Sequence, residues 1–150
     1  MLVVADSSVL IAYHQVDHLA VLRDLYTRVV VTPAIVRETA PSLGKLPAWI
    51  EEMAAATDHS LTLRLDNGER EALSLAMEIV PGAVLVDDLA ARRVARILAV
   101  PTIGSAGVLV DAKSAGLIDR VSPVLHAMRI SGLYLSDEIA KEVLRRAGEL

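Results

Sequence analysis

No cysteine and no phenylalanine occur among the 150 residues. The first absence excludes a disulfide framework, thiolate metal sites and cysteine nucleophiles, and it fits a reducing compartment. The second leaves aromatics at 3% although hydrophobic residues make up 53%. The core must therefore be built from Val, Leu, Ile and Ala. That composition suits a parallel sheet buried by helices on both faces; on composition alone a helical bundle stays open. No apolar run approaches the roughly 18 residues of a membrane span, and Asp6 arrives too early for the apolar region of a signal peptide. The expectation is a cytoplasmic protein with no membrane partner. A basic excess is missing too, since the formal net charge is −4. A protein holding nucleic acid mainly by long-range attraction would be basic. Any nucleic-acid partner has to be met by local basic residues or by a metal ion. The length fits one domain over residues 1–150 with a full-sized core.

What is present alternates. Leu2–Ala5 reads as a short buried strand, and Ser7 or Ser8 can cap a helix carrying Val9, Leu10 and Ile11. Residues 18–26 have helical apolar spacing, and Arg28–Val31 is a second strand. Thr32-Pro33 opens a helix to about Ala40, with Thr as N-cap and Pro at the first helical position. A loop over 41–47 precedes a helix over Trp49–Ala56 and a strand over Leu61–Leu65. Asp66-Asn67-Gly68 reads as a turn before a helix over Glu69–Ile79, which Pro81-Gly82 ends. Strand Ala83–Val86, helix Asp88–Ala99, strand Val100–Ile103 and helix Ala106–Ala115 follow. Further helices start at Ser122-Pro123 and at Ser136, the last over about 136–147. Alternation at this spacing predicts βαβ units and a three-layer α/β/α sandwich around a parallel sheet.

The carboxylates fall where such a fold gathers chemistry. In open parallel sheets, sites form just beyond the carboxyl ends of the strands. Asp6 directly follows the first strand. Asp87 and Asp88 follow Ala83–Val86 as LVDD, and Gly104 and Ser105 follow Val100–Ile103. Glu38 borders an apolar helix face. Glu69 opens a helix with Ala72, Leu73 and Ala76 on its stripe, while Glu71 lies about 200° round from it, so one of the two faces inward. Taken singly, each acid has an ordinary explanation: Asp6 and one of Asp87 or Asp88 as N-caps, Glu69 as a complement to the helix dipole, Glu38 as a solvated residue. Together they form a self-repelling group that calls for a cation. Oxygen-only donors suit Mg²⁺ or Mn²⁺, and two-metal nucleases use such groups.

Arg92 and Arg96 share a helix face beside the acidic pair, and Arg92 suits a phosphate contact; Arg93 reads as solvated. His14, His18, His59 and His126 give no convincing zinc spacing. Trp49 reads as an anchor of the core or of an interface. The tail over 133–150 is amphipathic and suits packing on the domain or a dimer contact.

Five stretches in order, MLVVADSSVLIA, VVVTPAIVRE, DNGEREALSLA, AVLVDDLAARRVA and PTIGSAGVLVDAKSAGLI, resemble a PIN domain. The likeness is to the branch with a strand-DxS start, a GExxA helix, a DDxxAR segment and a G-T/S-x-G-V-L turn. It extends over nearly the whole chain, through SGLYLSDEIAKEVLRRAGE. The resemblance implies a PIN-like α/β/α fold and a metal-dependent ribonuclease. It further implies the toxin of a toxin–antitoxin pair, as in VapC-like proteins, with RNA as substrate, a cognate antitoxin as partner and a homodimer as the assembly. The family's acids match Asp6, Glu38, Glu69 (with Glu71 the near alternative) and Asp88 or Asp87; its hydroxyl residues match Ser8 and Ser105, which with Arg92 are expected to bind the substrate. The chain departs from the pattern at Val9, where the family has proline, and at Val86, where a threonine often precedes the acidic pair. Its third acid is Glu rather than Asp. The missing threonine motivates a second expectation, a catalytically inactive PIN-fold module that binds RNA or protein. A receiver-like domain fits less well, because its acidic pair would come early in the chain and LVDD comes late.

Overall fold

The most apolar segments form the three central strands of a single parallel sheet. A computed structural model of the chain describes residues 1–57 and 65–150. Strand β1 (Leu2–Ala5) lies at the centre, between β2 (Arg28–Val31) and β4 (Ala83–Leu85). Strands β3 (Ile50–Glu52) and β5 (Thr102–Ile103) are the edges, giving the order β3-β2-β1-β4-β5. Val3 pairs with Val29 on one side and Ala83 on the other. Val3, Val4 and Ala5 are fully buried, as expected of a strand covered on both faces.

The helices are α1 (Ser7–Gln15), α2 (Leu19–Leu25), α3 (Pro33–Leu43), α4 (Asn67–Ile79), α5 (Leu89–Ile97), α6 (Ser105–Ser114), α7 (Val121–Ile130) and α8 (Asp137–Arg146). One layer has α4 packed on α5, β1 and β4. In the other, α1 and α2 meet α6, and α6 carries α7 and α8. Helix α3 touches both α1 and α4, which brings its side chains to the sheet edge where those two helices begin. The result is the three-layer α/β/α architecture. Among the described residues, no helix is long and apolar enough to cross a membrane.

Four local expectations are corrected. Residues 50–52 form a strand, not part of a helix: Ile50 is buried and pairs with Val29, and Arg28 holds Glu51 through bonds of 2.8 and 2.9 Å. Helix α3 runs through Pro41 to Leu43; so near the C-terminus the proline removes one hydrogen bond without breaking the helix. The N-cap of α1 is Asp6 rather than a serine. Asp66 caps α4, whose first turn already includes Asn67 and Gly68. The strand expected over Leu61–Leu65 lies outside the described residues except for Leu65, which is a buried bend.

Strands β2 and β3 extend from β1 to one side, and the chain then returns to place β4 on the other. The switch point is therefore between β1 and β4. Just beyond their carboxyl ends stand Asp6, Asp87 and Asp88, where the crossovers leave a crevice.

Candidate functional site

Asp6 is held at the mouth of that crevice by backbone as well as sequence. Its amide donates to Leu85 O at 2.9 Å, tying the end of β1 to β4. It has the extended φ/ψ of an N-cap, yet its side chain makes no capping bond. Instead Oδ2 accepts from Ser8 Oγ at 3.1 Å, while Oδ1 is buried with no hydrogen-bond partner. The residue is 3% exposed. Burial pushes its carboxyl up to about 6; the Ser8 hydroxyl and Ser7 amide offset part of this, and the charges of Asp66 and Glu38 add to it. A buried carboxylate short of donors is costly unless something else supplies positive charge.

Glu38 reaches the same edge from α3. Its Oε2 accepts from Ser7 Oγ at 2.7 Å and its Oε1 from the Gly68 amide at 3.1 Å. The carboxylate lies against the Gly68 α-carbon so closely that a Cβ there would sit 2.7 Å from Oε1 and nearer still to Oε2. A side chain at Gly68 would thus push the Glu38 carboxylate away from its present seat. Glu69, one residue on, is half-buried. Burial first, then the charges of Asp66, Asp88 and Asp6, push its carboxyl up to about 7, with a backbone bond at Asp66 in partial opposition. Glu71 has a different role: Oε1 accepts from the Ala34 amide at 3.3 Å, and Arg37 lies 3.7 Å from Oε2. It serves the start of α3.

The two acids of LVDD also separate. Asp87 accepts from Ser105 twice, from the amide at 2.7 Å on Oδ1 and from Oγ at 2.6 Å on Oδ2. It clamps the end of β4 to the start of α6. Ser105 is fully buried, and its carbonyl accepts from Tyr13 Oη at 2.8 Å. Asp88 is exposed, caps α5 through Ala91 N at 2.9 Å, and acts electrostatically on Glu69. Arg92 Nη1 donates to Val86 O at 3.3 Å; an added Cβ at Gly104 would lie 2.9 Å from that nitrogen and 3.0 Å from Asp87 Oδ1. The Arg92 guanidinium therefore stands beside the acidic pair, whereas Arg93 and Arg96 are exposed.

Asp6, Glu38, Glu69 and Asp88 thus gather at one sheet edge, with Ser8 and Arg92 among them and Asp87 bonded to Ser105 behind. A cavity of about 1050 Å³ opens here, lined among others by Ser8, Glu69, Asp88, Arg92, Tyr134 and Arg146. Two features escaped sequence reasoning. Asp66 was read only as a turn residue, although an Asp three positions before a Glu and an apolar run is a capping signal. The wall built by residues 131–136 and α8 carries no local signature. Among the described residues, no three Asp, Glu or His side chains already converge tightly enough to hold a metal ion.

Comparison with known proteins agrees with this architecture. No curated protein and no solved structure matches the chain. One family model does, described as a PIN domain, and it spans residues 2–149, from the first residue of β1 to beyond the end of α8. The chain belongs to the PIN-domain family, a nuclease-type fold.

Proposed function

We propose that this PIN domain is a Mg²⁺- or Mn²⁺-dependent endoribonuclease. The observation that carries the reading is Asp6: buried at the topological switch point, with Oδ1 unpartnered and other carboxylates close enough to raise its proton affinity. The donors present fit a hard divalent cation in chemistry, being oxygens from Asp6, Glu38, Glu69 and Asp88. Glu38 and Asp88 would have to turn from the bonds they make to Ser7, Gly68 and Ala91. When bound, the cation would offset the charge of the acids, polarise the scissile phosphate and activate water for attack.

The chain's own residues have separate parts in this reading. Ser8 orients Asp6 through Oδ2 and leaves Oδ1 toward the ligand. Arg92 contacts a phosphate next to the scissile one. Ser105 acts through Asp87, keeping that carboxylate and the β4 end in place. The cavity that Glu69, Arg92 and Tyr134 help to line would give room for a single strand. The VapC-like likeness extends the proposal to a cytoplasmic toxin that acts as a homodimer and is restrained by a cognate antitoxin.

The test is a Mn²⁺ titration with a labelled single-stranded RNA, wild type beside Asp6→Asn. Cleavage that needs metal and disappears in the variant is the expected result; full cleavage by Asp6→Asn sinks the reading. A second reading, a PIN-fold module that binds RNA or protein without catalysis, is favoured by Val86 and by the spread of the acids among the described residues. RNA binding without cleavage or metal affinity would select it.

A further inference from the structure

We propose that Tyr134 is a stacking platform for an unpaired RNA base and that Arg146 contacts a phosphate of the same strand. Together they make a second subsite in the cavity that Glu69, Asp88 and Arg92 also line. The inference rests on RNA being the substrate and does not depend on the metal. Tyr134 is 92% exposed, and it makes no hydrogen bond among the described residues. Its backbone is nevertheless fastened on both sides. Leu133 and Leu135 pack against the core. The Leu133 amide donates to Met128 O at 3.0 Å, closing the end of α7. Arg129 Nη2 donates to Leu135 O at 2.8 Å and to Asp137 Oδ1 at 2.9 Å, which ties the turn to the start of α8. Two leucines point in and the tyrosine between them points out. The ring is thus presented in advance, and little freedom is left to lose on binding.

A solitary exposed tyrosine is ordinary on a protein surface. This one lines the cavity that any strand cleaved at the acidic edge must enter. Arg146, the last residue of α8, lines it too, is exposed and forms no ion pair among the described residues. A strand meeting both residues would run along α8, which is about 15 Å long. Long-range attraction cannot supply the grip, because the net charge is −4 and Asp111 lines the same cavity as the acids. Stacking can: every base has a π-face, and an aromatic ring with a guanidinium nearby suits an unpaired strand.

The test is equilibrium binding of a short labelled single-stranded RNA to the full chain. Anisotropy is read in EDTA, and again with Mn²⁺ on the Asp6→Asn background. Tyr134→Ala should weaken binding about tenfold and Tyr134→Phe should leave it near wild type. Arg146→Ala should weaken it and lower the salt slope by about 1. All three should melt like wild type, since both side chains are exposed. A strand with every base replaced by an abasic site should bind wild type and Tyr134→Ala alike. Wild-type affinity in Tyr134→Ala overturns the proposal, keeps RNA as substrate and leaves this wall to a protein partner. A Tyr134→Ala loss that persists on the abasic strand, or that Tyr134→Phe shares, also overturns the stack. Unchanged binding by Arg146→Ala strikes out the phosphate contact. No RNA binding under either condition overturns both the subsite and the RNA reading.

Discussion

Two carboxylates are almost sealed from solvent, and the fold treats them in opposite ways. Asp6 has the Ser8 hydroxyl on Oδ2, only partial help from the Ser7 amide and an Oδ1 left without a partner, and burial pushes it up to about 6. The Glu149 side chain is 6% exposed. It accepts from the Val121 and Ser122 amides at 2.7 and 3.0 Å and from Lys113 Nζ at 3.0 Å, and Lys113 also donates to Ala147 O at 2.6 Å. Burial works against its charge, yet these donors together bring it down to about 2. The contrast is clearest in helix capping. Asp6 occupies an N-cap position and does not cap with its side chain, whereas Glu149 returns from beyond α8 to cap α7. Burial by itself therefore does not distinguish a structural acid from a functional one; the donors do. Glu149 has been given every partner that a buried charge needs, and Asp6 has been left short.

The largest consequence is expected in activity. Asp6→Asn should lower metal-dependent RNA cleavage by about a hundredfold or more, since a ligand outweighs the 10–100-fold typical of its supporting groups. The same variant should be more stable than wild type without metal at pH 7.5, by about 1–2 kcal/mol, because a desolvated charge is gone. Glu149→Gln should do the reverse, costing about 3 kcal/mol as charge-assisted bonds to two amides and Lys113 weaken together. Its metal affinity should be unchanged. Calorimetric melting of both variants beside a Mn²⁺ titration checks the pair, and a destabilised Asp6→Asn would undo the contrast.

Both regions were partly legible in sequence. β1 and the three valines of β2 are uninterrupted apolar runs ended by a polar residue, so where these strands end follows from local composition. Asp6, Glu38, Glu69 and Asp88 could be placed at one edge because each follows a strand or borders a helix stripe. The segment 49–56 was misread because Trp49, Ile50 and Met53 have helical spacing; its three-residue strand owes its form to pairing with β2, which no local pattern encodes. Asp87 and Asp88 are adjacent and chemically alike, and only Ser105, across the sheet edge, tells them apart. Glu149 escaped for the same reason. Its donors belong to α6 and α7, and nothing near it in sequence marks it as buried.

Proton linkage gives a third, smaller effect. Folded Asp6 keeps a proton between its ordinary value of 3.8 and about 6 that the unfolded chain has released, and Glu69 does so from 4.5 to about 7. The folded state binds more protons across these windows, so stability falls as pH rises through them. The Asp6 share is on the order of 3 kcal/mol. Glu149 runs the other way: its contribution is present above 4.5 and is lost as pH falls toward about 2. The metal-free protein should therefore melt highest near about pH 4, where the Glu149 gain meets the Asp6 decline. Asp6→Asn should flatten the decline above that pH, and Glu149→Gln the decline below it. A melting temperature that rises steadily from pH 5 to pH 7.5 would contradict the assignment for Asp6.

Asp87 sharpens the comparison most finely, because it stands at the acidic edge but is bonded in the manner of Glu149. Ser105 gives it an amide on one oxygen and a hydroxyl on the other. If donors decide, Asp87 belongs with the structural acids despite its neighbours. Asp87→Asn keeps a carbonyl oxygen for the Ser105 amide, and the hydroxyl can turn to accept from the new NH₂ group. The expected cost is about 1 kcal/mol, with Mn²⁺ affinity equal to wild type within error. Any lost activity should come from movement of the α6 start and be restored in part by saturating substrate. A large loss of Mn²⁺ affinity at unchanged melting temperature would mean that Asp87 leaves Ser105 to join the cation. Bonded and unbonded acids would then no longer be separate classes at this edge.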